Sequence, residues 1–172
     1  INALLVGAAL DLYKAEYDAS VEVELLDLNA FEMPIYSMER QAEGGVPDLA
    51  TAFYEKIGAA DAVIASFAEH NGLFTVAYKN IFDWASRIAM RVYQDKPCVF
   101  MATSPGSKGG GNVLATMLAG APFFGADVAG SLSVPSFNDN FDRERGALSN
   151  PELEGKLKEA LGALQEKLTT TA

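Results

Sequence analysis

The sequence predicts an α/β fold in which a parallel β-sheet carries helices on both faces. Two short, continuous apolar runs, residues 61–67 (DAVIASF) and 97–103 (PCVFMAT), read as strands buried on both sides. Segments of helical period stand before, between and after them, the order that βαβ crossovers produce. Polar, glycine-bearing loops follow both runs directly, at the strand ends where such sheets bind ligands.

Each element has its own signal. Residues 2–17 carry Leu4, Leu5, Ala8, Ala9 and Leu12 at helical spacing, with Asn2 as the expected N-cap. Residues 21–26 (VEVELL) alternate and then turn apolar, which predicts a strand. Residues 47–60 read as a helix with Pro47 in the first turn and Gly58 near the end. Residues 73–88 and 112–124 are expected helices, and residues 127–134 (DVAGSLSV) a weaker strand. Residues 151–168 form an amphipathic helix with a solvated Glu/Lys stripe, and residues 135–150 read as a connecting loop. There are no internal repeats, so residues 1–172 are expected to form a single domain.

Composition narrows the function classes. The chain is 49% hydrophobic and 21% charged, as globular domains are. No apolar run approaches the roughly 18 residues that a membrane span needs. A single cysteine, Cys98, excludes an intramolecular disulfide and fits a reducing, cytoplasmic setting. With His70 the only histidine, a His/Cys metal cluster is excluded as well. The net charge of −10, with no basic cluster, opposes nucleic-acid binding.

Two loops hold the candidate site. Ala68, Glu69, His70, Asn71 and Gly72 follow the first apolar run. Ser104, Pro105, Gly106, Ser107, Lys108, Gly109, Gly110 and Gly111 follow the second. The glycine loop is not a Walker A motif, because glycine follows Lys108, and its spacing does not match G-x-G-x-x-G. Its composition alone fits a flexible turn or a ligand loop.

Three motifs in order carry a resemblance: Glu69-x-Asn71, then Lys79-Asn80-x-x-Asp83-Trp84, then Ser104-x-Gly106-x-x-Gly109-Gly110. Together they resemble the NADPH-dependent FMN reductase family of flavodoxin-like proteins, over essentially the whole chain. Phe141, Asp142 and Gly146 suit the family's C-terminal pattern. Ala68 stands where the family usually has proline, and His70 where it has tyrosine. The family also opens with a strand and a phosphate loop, and Ile1-Asn2 looks like the end of that loop. The resemblance therefore implies roughly ten to fifteen further residues before Ile1, from typical strand and loop lengths.

The resemblance implies a flavodoxin-like three-layer domain binding FMN, with NADPH or NADH as reductant. Asn2 would help hold the FMN phosphate. Ala68, Glu69, His70, Asn71 and Gly72 would run along the isoalloxazine edge. Ser104, Pro105, Gly106, Gly109 and Gly110 would line its pyrimidine side. No catalytic side chain or metal is implied, because the flavin carries the chemistry. The implied acceptor is a small molecule: a flavin, quinone, azo compound, chromate or ferric species. A flavodoxin-like electron carrier and a flavin-binding sensor without turnover are the alternatives.

The helix at residues 73–88 is apolar on nearly all sides, which predicts burial against the sheet and against a second subunit. Tyr78 and Phe82 are the candidates for the outer face of a homodimer or homotetramer. Trp84 is expected in core or interface, Cys98 as an inert core thiol, and Lys79 with Asp83 as a weak surface pair.

Overall fold

The structure, a computed structural model, describes residues 1–171. Helix α1 (Asn2–Glu16) buries Leu5, Ala8, Ala9 and Tyr13, one stripe at helical spacing, while Leu4 lies outside it. A 3-10 turn (Leu28–Phe31) buries Phe31, and α2 (Met38–Gly44) starts where the Ser37 hydroxyl accepts from the Arg40 amide. Helix α3 (Asp48–Ala59) begins after Pro47. Then come β1 (Val63–Phe67), β2 (Glu69–His70), β3 (Leu73–Phe74) and α4 (Val76–Ile88). Strand β4 (Pro97–Thr103), α5 (Gly111–Gly120) and β5 (Asp127–Val134) follow. The chain closes with α6 (Phe137–Asn140), β6 (Phe141–Asp142), β7 (Ala147–Leu148) and α7 (Pro151–Thr171).

Strands β1, β4 and β5 form a parallel sheet in that order. Strand β4 lies between the other two and is buried from Cys98 to Thr103. Its alternate residues feed two cores. Cys98, Phe100 and Ala102 pack with Phe53, Ile57, Ile81, Phe82 and Met117 of α3, α4 and α5. Val99 and Met101 pack with Leu5, Ala9, Leu157, Leu161 and Leu164 of α1 and α7. Two helical layers thus enclose one sheet, as the sequence predicts.

Several expectations change. Residues 21–26 form no strand, because no ladder partner meets them among the described residues, and Val23 and Leu25 are exposed. Alternation is a local signal; a strand also needs a neighbour to take its hydrogen bonds. Strand β1 is half-buried except at Phe67, rather than buried on both faces. The loop at residues 135–150 contains α6 and the β6–β7 hairpin.

The largest correction concerns the expected helix at residues 73–88. It starts at Val76, where the Thr75 hydroxyl accepts from the Tyr78 amide, and Leu73 and Phe74 belong to β3. Tyr78 and Phe82 are buried in the aromatic core, not on an outer face. The second apolar side is covered by this chain itself. Trp84 Nε1 donates to the Pro34 carbonyl at 2.7 Å, and its ring meets Tyr36 edge-on at 5.0 Å. Asn80 fixes the same segment, accepting from the Tyr36 amide at 2.9 Å and donating to the Met33 carbonyl at 3.1 Å. The pattern that suggested a second subunit is satisfied by residues 33–36. Lys79 and Asp83 pair on the exposed side at 2.6 Å.

Cys98 is fully buried, and burial, with Asp127 as a lesser cause, pushes its thiol up to about 12. Burial likewise raises the Tyr78 and Tyr93 phenols, whose oxygens lie 3.0 Å apart. A group held neutral by the fold stabilises it fully below its unfolded value and loses that contribution as pH rises through its folded one. Stability is therefore expected to fall from about pH 9 upward, near the ordinary thiol range. Urea midpoints at pH 7.5 and pH 10.5, values chosen to bracket that range, check this. Equal midpoints would show that these groups do not drive an alkaline transition.

Candidate functional site

Parallel pairing brings the two loops together. Phe67 at the end of β1 is in register with Ala102 near the end of β4, so residues 68–72 and 104–110 leave the sheet side by side. A third part arrives with α1. Ser66 of β1 donates through Oγ to Asn2 Oδ1 at 2.7 Å, fixing the start of α1 beside the first loop. Asn2 is not the N-cap; Ile1 holds that position and Asn2 is the first helical residue. The first turn of α1 carries no acidic residue, so its positive end is not offset by a carboxylate of its own.

The first loop is an ordered hairpin. Asn71 (φ 54°) and Gly72 (φ 80°) are both left-handed, the pattern of a type I′ turn, and they join β2 to β3 with His70 opposite Leu73. Asn-Gly is the strongest short hairpin signal, and a reading that starts a helix at Leu73 overlooks it. His70 and Leu73 are exposed at the tip, with Ala68 half-buried at the base. Glu69 points across to the second loop: its Oε2 accepts from the Val113 amide at 2.9 Å, in the first turn of α5. That carboxylate satisfies one of the free N–H groups of the helix start and ties the hairpin to the glycine loop's exit.

The glycine loop is not slack either. Gly109 (φ 59°) and Gly110 (φ 73°) are buried. A Cβ on Gly109 would stand 2.5 Å from Ser133 Oγ and 2.7 Å from the Pro135 nitrogen. One on Gly110 would stand 2.9 Å from the Ala102 Cβ. Both glycines therefore let the loop pack onto the sheet. Pro105, Gly106, Ser107 and Lys108 form its exposed crest, with Ser104 half-buried beside them. The crest is anchored by the segment expected to be only a connector: the Ser136 amide donates to the Gly106 carbonyl at 2.9 Å, and that of Phe137 to the Ser104 carbonyl at 3.1 Å.

Aromatic cover over the loops is sparse. Phe67 turns inward and meets Phe74, Tyr78 and Phe100 edge-on, at 5.7, 5.0 and 5.4 Å. Among the described residues no group of His, Cys, Asp or Glu could hold a metal ion. No helix among them is long and apolar enough to cross a membrane. A shallow depression lined by Gly130, Lys156 and Glu159 lies against the middle of β5, apart from these strand-end loops.

The comparisons agree with one another. The family model described as NADPH-dependent FMN reductase matches residues 1–140. The NADPH:quinone oxidoreductase of Arabidopsis thaliana is 33% identical over 106 residues, 62% of this chain and 52% of that protein. The quinone reductase of Escherichia coli (strain K12) is 35% identical over 92 residues, 54% of this chain and 48% of the relative. The chain thus spans about half the length of the curated relatives it matches. The structure of FerB, a flavoenzyme NAD(P)H:(acceptor) oxidoreductase from Paracoccus denitrificans, superimposes with a TM-score of 0.77 at 21% identity, covering 99% of this chain and 90% of that one. Azoreductase AzrA superimposes with a TM-score of 0.62 at 17% identity, covering 94% and 90%. At those identities the two structures speak for the flavodoxin-like fold.

Proposed function

This chain belongs to the NADPH-dependent FMN reductase family, matched over residues 1–140, and on that premise we propose that it is an FMN-dependent NAD(P)H oxidoreductase. The observation that carries the proposal is the convergence of the α1 start, the Glu69–Gly72 hairpin and the 104–110 loop at one end of the parallel sheet. That end is where an open α/β sheet places its ligand.

The residues suit a flavin phosphate and ring. The start of α1, with no acid in its first turn, offers backbone N–H groups and a positive helix end to a phosphate, and Asn2 stands beside it. The hairpin from Ala68 to Gly72 and the crest at Ser104, Pro105 and Gly106 provide two backbone edges for a planar ring. Gly109 and Gly110 serve by setting the height of that crest on the sheet. FMN supplies the hydride chemistry when bound. The chain's part is to hold it, to fix the two loops relative to each other through Glu69 and Val113, and to leave one ring face accessible. No side chain is required to move a proton.

An open face separates this reading from an electron carrier, which would shield the ring between aromatics. Phe67 is committed to the core, so His70 is the aromatic left at the ring loops. The acceptor is a small molecule of the flavin, quinone, azo, chromate or ferric class, and the site of action is the cytoplasm. A homodimer or homotetramer remains part of the proposal, now through the outer side of α4 around Val76, which is 70% exposed.

The test is the flavin spectrum of FMN-loaded protein before and after anaerobic NADPH or NADH. Bleaching of the flavin band within the mixing time, followed by recovery on adding a quinone, is the expected result. A band that neither nucleotide bleaches rules the reductase out and leaves the carrier or sensor.

A further inference from the structure

We propose that Lys108 is a specificity-determining residue that holds a phosphate group of the pyridine dinucleotide at the rim of the flavin crevice. The inference rests on the reductase reading above. A chain of net charge −10 repels an anionic reductant, so productive docking needs a local cation at the crevice. Several cations are already committed elsewhere. Lys56, Lys79, Arg91, Lys156 and Lys158 all pair with carboxylates, Lys79 with Asp83 on the helix that follows the hairpin.

Lys108 stands on the exposed crest of the 104–110 loop and has no carboxylate partner among the described residues. Its backbone is fixed, since its carbonyl accepts from the Gly111 amide at 2.9 Å and Gly109 and Gly110 are wedged onto the sheet. The ammonium is therefore presented from a rigid base on a flexible stem, which suits a phosphate approached from solvent. A second cation flanks the same loop. Arg143 lies 5.8 Å from the Phe137 ring centre and donates to Asn138 Oδ1 at 3.2 Å, and Phe137 is bonded to the Ser104 carbonyl. The nearby carboxylate on the crevice side, Glu69, already accepts from the Val113 amide.

The experiment titrates oxidised, FMN-loaded protein with NADP+ and, separately, with NAD+, following the flavin absorbance, for wild type, Lys108→Met and Lys108→Arg. Lys108→Met is expected to weaken NADP+ binding about tenfold, the lower end for a charge-assisted contact. Lys108→Arg should stay within about twofold of wild type, since it keeps the charge. Flavin content and melting temperature should not change, because the side chain is exposed. Loss for NADP+ alone identifies the 2′-phosphate as the group held, and equal loss for both nucleotides identifies the pyrophosphate. Unchanged affinity for both in Lys108→Met overturns the proposal, as does a loss of FMN content with nucleotide affinity intact. If wild type holds FMN but is bleached by neither NADPH nor NADH, the reductase reading fails and the proposal with it. That outcome is seen without any variant.

Discussion

Gly109→Val is expected to melt far below wild type even without flavin, by roughly 4–20 °C for a domain of this size. The valine must adopt φ 59°, where a β-branched side chain is strained by about 1–2 kcal/mol. Its Cβ would also stand 2.5 Å from Ser133 Oγ, 2.7 Å from the Pro135 nitrogen and 2.8 Å from the Val134 carbonyl carbon. Two of those three atoms are backbone at the end of β5 and cannot rotate away. Overpacking of this kind adds about 1–3 kcal/mol. From the sequence, a bulky residue here is expected to block the ring and spare the fold; the structure reverses that order. Thermal melts of apo protein decide it. An unchanged melt with lost FMN binding would put the missing Cβ on the ligand side after all. Gly106, whose Cβ would find nothing nearer than Ser104 Oγ at 3.9 Å, is the control that should keep the wild-type melt.

Phe82→Asp has the larger expected effect and should leave no cooperative fold at 25 °C. The Phe82 ring lies 4.7 Å from Phe124, 5.6 Å from Tyr78 and 6.4 Å from Tyr93, measured between centres. Removing such a side chain costs about 3–5 kcal/mol before anything polar replaces it. An unpaired carboxylate in its place costs several kcal/mol more. The sum reaches the whole stability of an ordinary domain, roughly 5–15 kcal/mol. Val76→Asp, on the exposed side of the same helix, is expected within about 0.5 kcal/mol of wild type. Circular dichroism and sedimentation of the two variants separate core from interface. A folded, monomeric Phe82→Asp with a normal melt would return Phe82 to an oligomer face. Val76→Asp shifting towards smaller species would locate that face around Val76.

The layered fold was legible because burial on both sides of a parallel sheet leaves a direct trace. β4 reads as a continuous apolar run since its alternate residues enter two different cores. The loop positions follow from that, since parallel pairing sends both loops off the same edge. The family motifs sit on those loops, so the sequence alone brings Ala68, Glu69, Asn71, Ser104 and Gly106 together. The Asn71-Gly72 hairpin was equally open to reading. A helical period running from Leu73 masks it, although Thr75 marks the true start by capping the Tyr78 amide.

Other features depend on partners distant along the chain, and no local pattern contains them. The strand expected at residues 21–26 has its alternation but no neighbour to bond among the described residues. The second apolar side of α4 is closed by Pro34 and Tyr36, roughly fifty residues earlier, which makes Trp84 a core residue. The direction in which Gly109 lacks a side chain is set by the end of β5. Residues 136–137 join the site by bonding the glycine crest. By itself the sequence determined the elements, their layering and the edge at which the loops meet, because periodicity and burial act over neighbouring residues. Tertiary structure alone decided which faces are covered, which glycines are wedged and which cations find a carboxylate, because each depends on what the folded chain brings alongside.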